Sequence, residues 1–311
     1  MKAVLPALAR PLLEPHLPAG VDVSWFASRE EAGEMIVDAD IAWVDMQRGA
    51  WTAETVAKAT RLKWLSTIFA GVDWLDLAAL RANGTIVTNG TGINALAVAE
   101  YAVMGILVAA KRYDEVVRLA DRHEWTIQAP GQVELFETKA LIVGMGAIGK
   151  LIAERLAAFG VAVTGVTRSG RDGTLRPDEW QARLGAFDWV ILAAPSTDAT
   201  KAMIGAAELA AMKPSAWLIN IARGDMIEDA ALLDALNGRK IGGAFLDPTH
   251  PEPLPPDHPL WSAPNCLITM HLSGRSQTRM FPRAAALFLR NVGAFVTGKP
   301  MENVVDLEAG Y

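Results

Sequence analysis

The chain has a single cysteine, Cys266, in 311 residues, so an internal disulfide is excluded, and its Cys and His residues show no metal-site spacing. A reducing cytoplasm is the simplest compartment for such a composition. Basic residues are in deficit. Lys and Arg number 29 against 35 Asp and Glu, leaving a net charge of −6. That balance argues against nucleic acid or an anionic membrane as the main partner, while a locally basic pocket for a small anion stays open. No apolar run is clean enough for export or membrane insertion. Behind Met1-Lys2-Ala3-Val4-Leu5-Pro6, the residues Arg10, Pro11, Glu14 and Pro15 intervene before a signal-peptide core develops. Residues 93–110 approach the length of a membrane span, but Asn94 and Glu100 lie inside and Lys111-Arg112 closes the run like a helix C-terminus. A buried helix fits better. Internal repeats and low-complexity linkers are also missing.

What is present is core material. Half of the residues (51%) are hydrophobic and 21% are charged, as in a soluble globular protein, and the length accommodates two domains. Short apolar strand-like runs at 2–5, 21–25, 41–44, 64–66 and 86–88 alternate with helical patterns. One long helix is expected over 95–122. Further strands are expected at 162–166, 189–193, 217–221, 243–246 and 266–270, and a closing helix at 283–296. Such alternation points to an α/β fold with mainly parallel sheets.

The most informative stretch is Leu141-Ile142-Val143-Gly144-Met145-Gly146-Ala147-Ile148-Gly149. A short apolar strand enters Gly-x-Gly-x-x-Gly, and a helical pattern follows through Leu151, Ile152, Leu156 and Phe159. In that context Gly144 permits the tight turn, Gly146 admits a pyrophosphate to the backbone, and Gly149 lets helix and strand pack closely. The helix N-terminus adds free N–H groups and a dipole suited to an anion. This fingerprint sits in mid-chain, so the part before it is expected to be completed by the C-terminal helix. NAD-selective sites place an acid at the end of the second strand of this unit. Here, eighteen residues beyond Gly149, stand Thr167-Arg168-Ser169-Gly170-Arg171, with no carboxylate. Arg168 and Ser169 suit a 2′-phosphate, and Arg171 adds charge. NADP(H) is therefore favoured, with NAD(H) as the alternative and a solvated loop as the plainer explanation.

Several further segments, in order, resemble the D-isomer-specific 2-hydroxyacid dehydrogenases. They are Phe69-Ala70-Gly71-Val72-Asp73, Asn94-Ala95-Leu96-Ala97-Val98-Ala99-Glu100, Leu218-Ile219-Asn220-Ile221-Ala222-Arg223-Gly224 and Gly243-Ala244-Phe245-Leu246-Asp247. Glu252-Pro253-Leu254-Pro255, His258-Pro259-Leu260-Trp261 and the run from Pro264 to Gly274 complete the set. The likeness extends from about Leu62 to the C-terminus and is nearest to the glyoxylate/hydroxypyruvate reductase branch. It implies two Rossmann-like domains with parallel sheets: a dinucleotide-binding domain, 98–275, inserted into a flavodoxin-like substrate-binding domain of 1–97 and 276–311. It further implies a homodimer formed through the inserted domain, around Glu100 and Trp125.

The resemblance also assigns roles. Arg223, Glu252 and His271 become the catalytic set. Ala70 and Gly71 offer backbone N–H groups to the substrate carboxylate. Ala147, Ile148, Ala194, Pro195, Ile221, Ala222, Asp247 and Gly274 join the glycines and the 167–171 loop around the cofactor, with Asp247 toward the nicotinamide carboxamide. The chemistry suits these residue types. A guanidinium grips a carboxylate and polarises the adjacent carbonyl, and an imidazolium delivers a proton as hydride reaches carbon. A neighbouring carboxylate stabilises that imidazolium and fixes its tautomer. Singly, each has a bland alternative: a surface arginine, a solvated glutamate, a packed histidine. Met270 departs from the family, which usually has proline before the histidine. Glu252 argues against formate dehydrogenases, which have glutamine there. A short-form phosphoglycerate dehydrogenase, or a cofactor-sensing binding protein on the same scaffold, remain the competing functions.

Overall fold

The computed structural model describes residues 1–45 and 49–310. In chain order it has strands β1 (Lys2–Pro6), β2 (Asp22–Phe26), β3 (Ile41–Ala42), β4 (Trp64–Ser66) and β5 (Ile86–Thr88). Helices α1 (Arg10–Leu13), α2 (Arg29–Met35), α3 (Gly49–Val56) and α4 (Leu77–Ala82) intervene. Next come α5 (Ala95–Lys111), α6 (Tyr113–Asp121), β6 (Lys139–Val143), α7 (Ala147–Ala158), β7 (Ala162–Val166) and β8 (Trp189–Leu192). The chain continues through α8 (Ala206–Ala211), β9 (Trp217–Asn220), α9 (Asp229–Asn237), β10 (Gly243–Leu246), β11 (Cys266–Ile268) and α10 (Met280–Val296). These elements form two compact units, Met1–Asn94 with Gln277–Tyr311, and Ala95–Ser276. The division falls between Asn94 and Ala95, at the start of α5, whose residues Val98, Ala102, Ile106 and Ala109 belong to the core of the second unit.

The first unit is built on a parallel sheet in the order β2-β1-β3-β4-β5, the flavodoxin-like order. Strand alternation splits its core into two faces. Val4, Ala42 and Leu65 join Ala32, Val56 and Leu80 on one side. Ala3, Leu5, Ile41 and Trp64 join Leu13 and the α10 residues Ala284, Leu287, Phe288 and Val292 on the other. Phe288 stacks on Trp64 with ring centroids 4.9 Å apart and lies 5.7 Å from Trp43. The C-terminal helix is therefore core to the N-terminal sheet. Truncating Phe288 to alanine costs about 3–5 kcal/mol, as for other buried aromatics.

The second unit has a six-stranded parallel sheet in the order β11-β10-β9-β8-β6-β7. Both faces are covered, which is why its strands read as unbroken apolar runs. Leu141, Val143, Val190, Leu192, Leu218 and Leu246 face one side, with Leu209, Leu232 and Leu236 of α8 and α9. Ala140, Ile142, Trp189, Ile191, Ile219 and Phe245 face α5 and α7. Successive strands leave β6 in opposite directions, β7 to one side and β8 to the other. The crevice at their carboxyl ends is the switch point at which such sheets bind ligands.

Two sequence expectations need correction. The helix expected over 95–122 is two helices, broken at Arg112, whose φ of 47° is left-handed. Its guanidinium lies 3.2 Å from Asp114 and from Glu115, a local pairing that a continuous helix pattern does not reveal. The last strand stops at Ile268, because Met270 and His271 are both left-handed, with φ of 54° and 56°. Among the described residues, no helix is long and apolar enough to cross a membrane, and no His/Cys/Asp/Glu group is arranged for a metal.

Candidate active site

The glycine turn joins β6 to α7 at the switch point. Gly144 has φ 104°, and a Cβ there would lie 2.5 Å from the Ala194 nitrogen, so the turns after β6 and β8 are in direct contact. A Cβ on Gly149 would meet the Gly144 carbonyl oxygen at 2.0 Å. Gly146 differs: it is the N-cap of α7, no side chain caps it, and a Cβ there would meet nothing within 4 Å. An open surface beside uncapped N–H groups at a helix N-terminus fits a dinucleotide pyrophosphate. Ala147 is exposed and Ile148 half-buried beside this opening. Pro195, exposed after β8, accepts the Thr200 hydroxyl at its carbonyl, 2.8 Å.

At the end of β7 the 167–174 loop closes on itself. Thr167 and Thr174 share a hydroxyl hydrogen bond of 2.7 Å, and the Gly170 N–H donates to Thr167 Oγ1 at 3.0 Å. Arg168, Ser169 and Arg171 are exposed on this loop, with Asp172 next to them. The aliphatic stem of Arg176 lies directly over Gly170, which adds a third arginine that the sequence pattern did not single out.

Arg223, Glu252 and His271 follow β9, β10 and β11 in turn. Asn220, fully buried at the end of β9, donates to the Arg223 carbonyl (2.7 Å) and accepts from the Ala222 N–H (3.0 Å), which fixes the Ile221-Ala222-Arg223 turn. His271 Nδ1 lies 3.0 Å from Glu252 Oε2 and 3.2 Å from Oε1. Burial pushes the Glu252 carboxyl up. The hydrogen bond and charge of His271, the Thr249 N–H and the charge of Arg223 outweigh it, and the group stays below the ordinary carboxylate range. The two side chains keep 43% and 41% of their surface, so the pair is open on one side. His271 Nε2 is the ring nitrogen left to face a reactant.

Asp247, 1% exposed, organises this corner. Its carboxylate accepts from Thr269 Oγ1 at 2.8 Å and from the N–H groups of Leu272 and Ser273 at 2.9 and 3.2 Å. Its carbonyl accepts the His271 N–H at 2.7 Å. The residue therefore holds the 269–273 turn, and Gly274 continues that turn as a short 3-10 segment. Met270 is exposed, and its φ of 54° is one that proline, fixed near −65°, cannot adopt. The departure from the usual proline thus goes with a different main-chain path into His271.

Ala70 and Gly71 lie in the first unit, in the loop after β4. Their carbonyls accept from Asn89 Nδ2 (2.8 Å) and Trp74 Nε1 (3.1 Å). Among the described residues, their N–H groups have no protein acceptor.

Comparison with known proteins places this geometry. Residues 103–273 match the family model described as D-isomer specific 2-hydroxyacid dehydrogenase, NAD binding domain. The chain is 34% identical to a glycerate dehydrogenase of Methylorubrum extorquens, over 97% of this chain and 96% of that one. It is 33% identical to a glyoxylate reductase of Aeropyrum pernix, over 82% and 79%. It also matches a D-3-phosphoglycerate dehydrogenase of Methanocaldococcus jannaschii at 30%, but spans only 55% of that protein's length. Among solved structures, a D-isomer specific 2-hydroxyacid dehydrogenase family protein from Aeromonas salmonicida superposes with a TM-score of 0.88 at 30% identity, covering 98% of this chain and 99% of that one. With a nicotinamide-dinucleotide turn, two parallel-sheet units and these relatives, the chain belongs to the D-isomer-specific 2-hydroxyacid dehydrogenase family and is glyoxylate reductase-like within it.

Proposed function

We propose that the protein reduces a short 2-oxo acid, glyoxylate or hydroxypyruvate, to the D-2-hydroxy acid, and uses NADPH in preference to NADH. The observation that carries this reading is the His271–Glu252 pair at 3.0 Å, with the Arg223 charge acting on the same carboxylate. When bound, the reduced nicotinamide supplies the hydride to the carbonyl carbon. Arg223 grips the substrate carboxylate and polarises the carbonyl. His271 delivers the proton from Nε2 to the carbonyl oxygen, leaving a neutral imidazole that recovers its proton from water. Glu252 holds the ring through Nδ1 and stabilises the protonated form. Ala70 and Gly71 are assigned to the substrate carboxylate by their unoccupied N–H groups.

Support for NADPH comes from exposed Arg168, Ser169 and Arg171 where an NAD-selective site has an acid. The working setting is a reducing cytoplasm and the working form a homodimer. The surface of α5, α6 and the following arm supports the dimer: Met104, Tyr113, Trp125 and Ile127 are 40%, 57%, 94% and 95% exposed. Large apolar side chains left this exposed along one stretch of chain suit a partner surface.

The test is turnover by purified protein of glyoxylate, hydroxypyruvate and phosphohydroxypyruvate with each cofactor, followed at the nicotinamide absorbance, with chiral analysis of the product. A phosphorylated substrate preferred over both short acids would shift the reading to the phosphoglycerate relatives. An L product or absence of all turnover would overturn it.

A further inference from the structure

Asp45 follows β3 by three residues and carries no role in the chemistry above. Its Oδ2 accepts from Trp43 Nε1 at 2.8 Å and from the Ile68 N–H at 2.7 Å, and its Oδ1 accepts the Thr67 hydroxyl at 2.5 Å. Thr67 Oγ1 then accepts the Phe69 N–H at 3.2 Å. One carboxylate therefore gathers three consecutive residues of the loop after β4, directly and through Thr67. Burial pushes its carboxyl up to about 6 despite the donors from Thr67, Ile68 and Trp43.

The rest of the loop is tied at its carbonyls. Phe69 accepts the Gly90 N–H at 2.9 Å, Ala70 accepts Asn89 Nδ2, and Gly71 accepts Trp74 Nε1. With N–H groups secured at Ile68 and Phe69 and carbonyls secured from Phe69 to Gly71, the donors left over are those of Ala70 and Gly71. Two successive main-chain N–H groups left over in a tied loop are donors of the kind that bind an anion. Ordering those groups in advance lowers the cost of binding.

We propose that Asp45 is a positioning residue for the reaction, holding the 67–71 loop so that the Ala70 and Gly71 N–H groups are set for the carboxylate of the 2-oxo acid. The assignment rests on the reading of function given above. Asp45 itself does not touch the substrate: each of its oxygens already has a protein donor. Its loss acts on oxo-acid binding and leaves the dinucleotide turn and the His271–Glu252 pair, both in the other unit, intact.

The experiment compares Asp45→Ala with Asp45→Asn by steady-state kinetics and by hydrogen exchange of the peptide covering 64–72. Alanine removes every acceptor. Glyoxylate KM should rise about tenfold or more, the effect of losing one or two charge-assisted hydrogen bonds, while kcat and the KM for NADPH move by less than about threefold. Exchange in the 64–72 peptide should rise with it. Asparagine keeps an oxygen for the two N–H donors and turns its NH₂ to Thr67 Oγ1, so it should restore the oxo-acid KM to within about threefold. If alanine does not fold, the asparagine variant still decides the matter together with Thr67→Val, which severs the same chain one step further on and should raise glyoxylate KM alone. Faster exchange with an unmoved glyoxylate KM, or a loss confined to kcat, overturns the assignment while leaving the enzyme reading in place. A wild-type protein that turns over no 2-oxo acid overturns both.

Discussion

The second and third glycines of the turn, Gly146 and Gly149, separate what the fold needs from what the ligand needs. A Cβ at Gly149 would sit 2.0 Å from the Gly144 carbonyl oxygen and 3.3 Å from Ile142 Cγ2. Reaching ordinary contact requires α7 or the turn to move by more than about 1 Å, since carbon contacts are optimal near 3.5–4.0 Å. Overpacking of this kind costs about 1–3 kcal/mol. Replacing a helical glycine by alanine returns up to about 1 kcal/mol. Gly149→Ala should therefore lose about 1–2 kcal/mol net and lower Tm by several degrees, at about 2–4 °C per kcal/mol for a unit of this size. Gly146 has φ −74° and ψ −158°, conformations alanine adopts, and its Cβ would meet no protein atom. The entropy gain of about 0.4–1 kcal/mol is offset by alanine being a poorer N-cap, so the melting temperature without dinucleotide should hold within a few degrees. Its NADPH and NADH affinities should fall together by about tenfold to a hundredfold, one or two charge-assisted hydrogen bonds to phosphate being lost. Thermal melts without ligand and fluorescence titration with each dinucleotide read both effects. Unimpaired binding by Gly146→Ala refutes a pyrophosphate over that residue, and a wild-type melting temperature in Gly149→Ala refutes the close helix–strand contact.

The other expectations follow from the same geometry. His271→Gln should lower kcat by about a hundredfold to ten-thousandfold while NADPH titrates as in the wild type, and a loss of under tenfold would point to another proton donor. Glu252→Gln removes a negative charge 3.0 Å from Nδ1, so the alkaline limb of the reduction profile should move to lower pH; an unmoved limb, with chemistry rate-limiting, contradicts the pairing. On the acid side the sign is fixed by the carboxyl lying below its ordinary value: the pair contributes stability above that ordinary value and loses it as pH falls through the lower one, so the wild-type advantage in Tm over Glu252→Gln should shrink there. Arg168→Ala should reduce kcat/KM with NADPH and leave NADH nearly unchanged, and equal losses with both remove Arg168 from the phosphate site. Met270→Pro should cost at least tenfold in kcat, because φ 54° is closed to proline, whereas Met270→Gly should be tolerated; full activity in the proline variant shows that the path into His271 is not fixed at this residue.

The parts legible in the sequence are those in which neighbours along the chain are neighbours in space. The strand 139–143, its glycines and α7 are contiguous, and the close approach of Gly149 to the Gly144 carbonyl is made within that one stretch. The two parallel sheets were legible for a similar reason, since strands covered on both faces leave apolar runs that alternating helices separate. What pattern alone misses depends on partners. The same apolar positions that marked 95–122 as helical gave no sign of the reversal at Arg112. That turn depends on a guanidinium meeting Asp114 and Glu115. Nor did periodicity say which sheet would claim α5, because an apolar face records that a helix is covered and not by what.

Three polar residues at strand ends carry the rest. Asp45 follows β3, Asn220 ends β9 and Asp247 follows β10, each after an apolar run, and each bonds main-chain N–H groups of a turn. Such a residue at the mouth of a doubly covered sheet has to be satisfied as the strand end is buried, and loop N–H groups are the donors nearest to hand. A carboxylate or amide just after an apolar strand is thus a readable sign of a turn held in a set conformation. The residue type is visible in the sequence at all three positions, whereas the bonds each one makes to its turn are not. The donors themselves are 22 and 23 residues away for Asp45 and 25 and 26 for Asp247. For Asn220 the turn is its own next three residues; for Asp45 and Asp247 local pattern can name the acceptor but only the fold supplies the turn it holds, and these turns carry Arg223, Ala70 and Gly71, and His271 in that order.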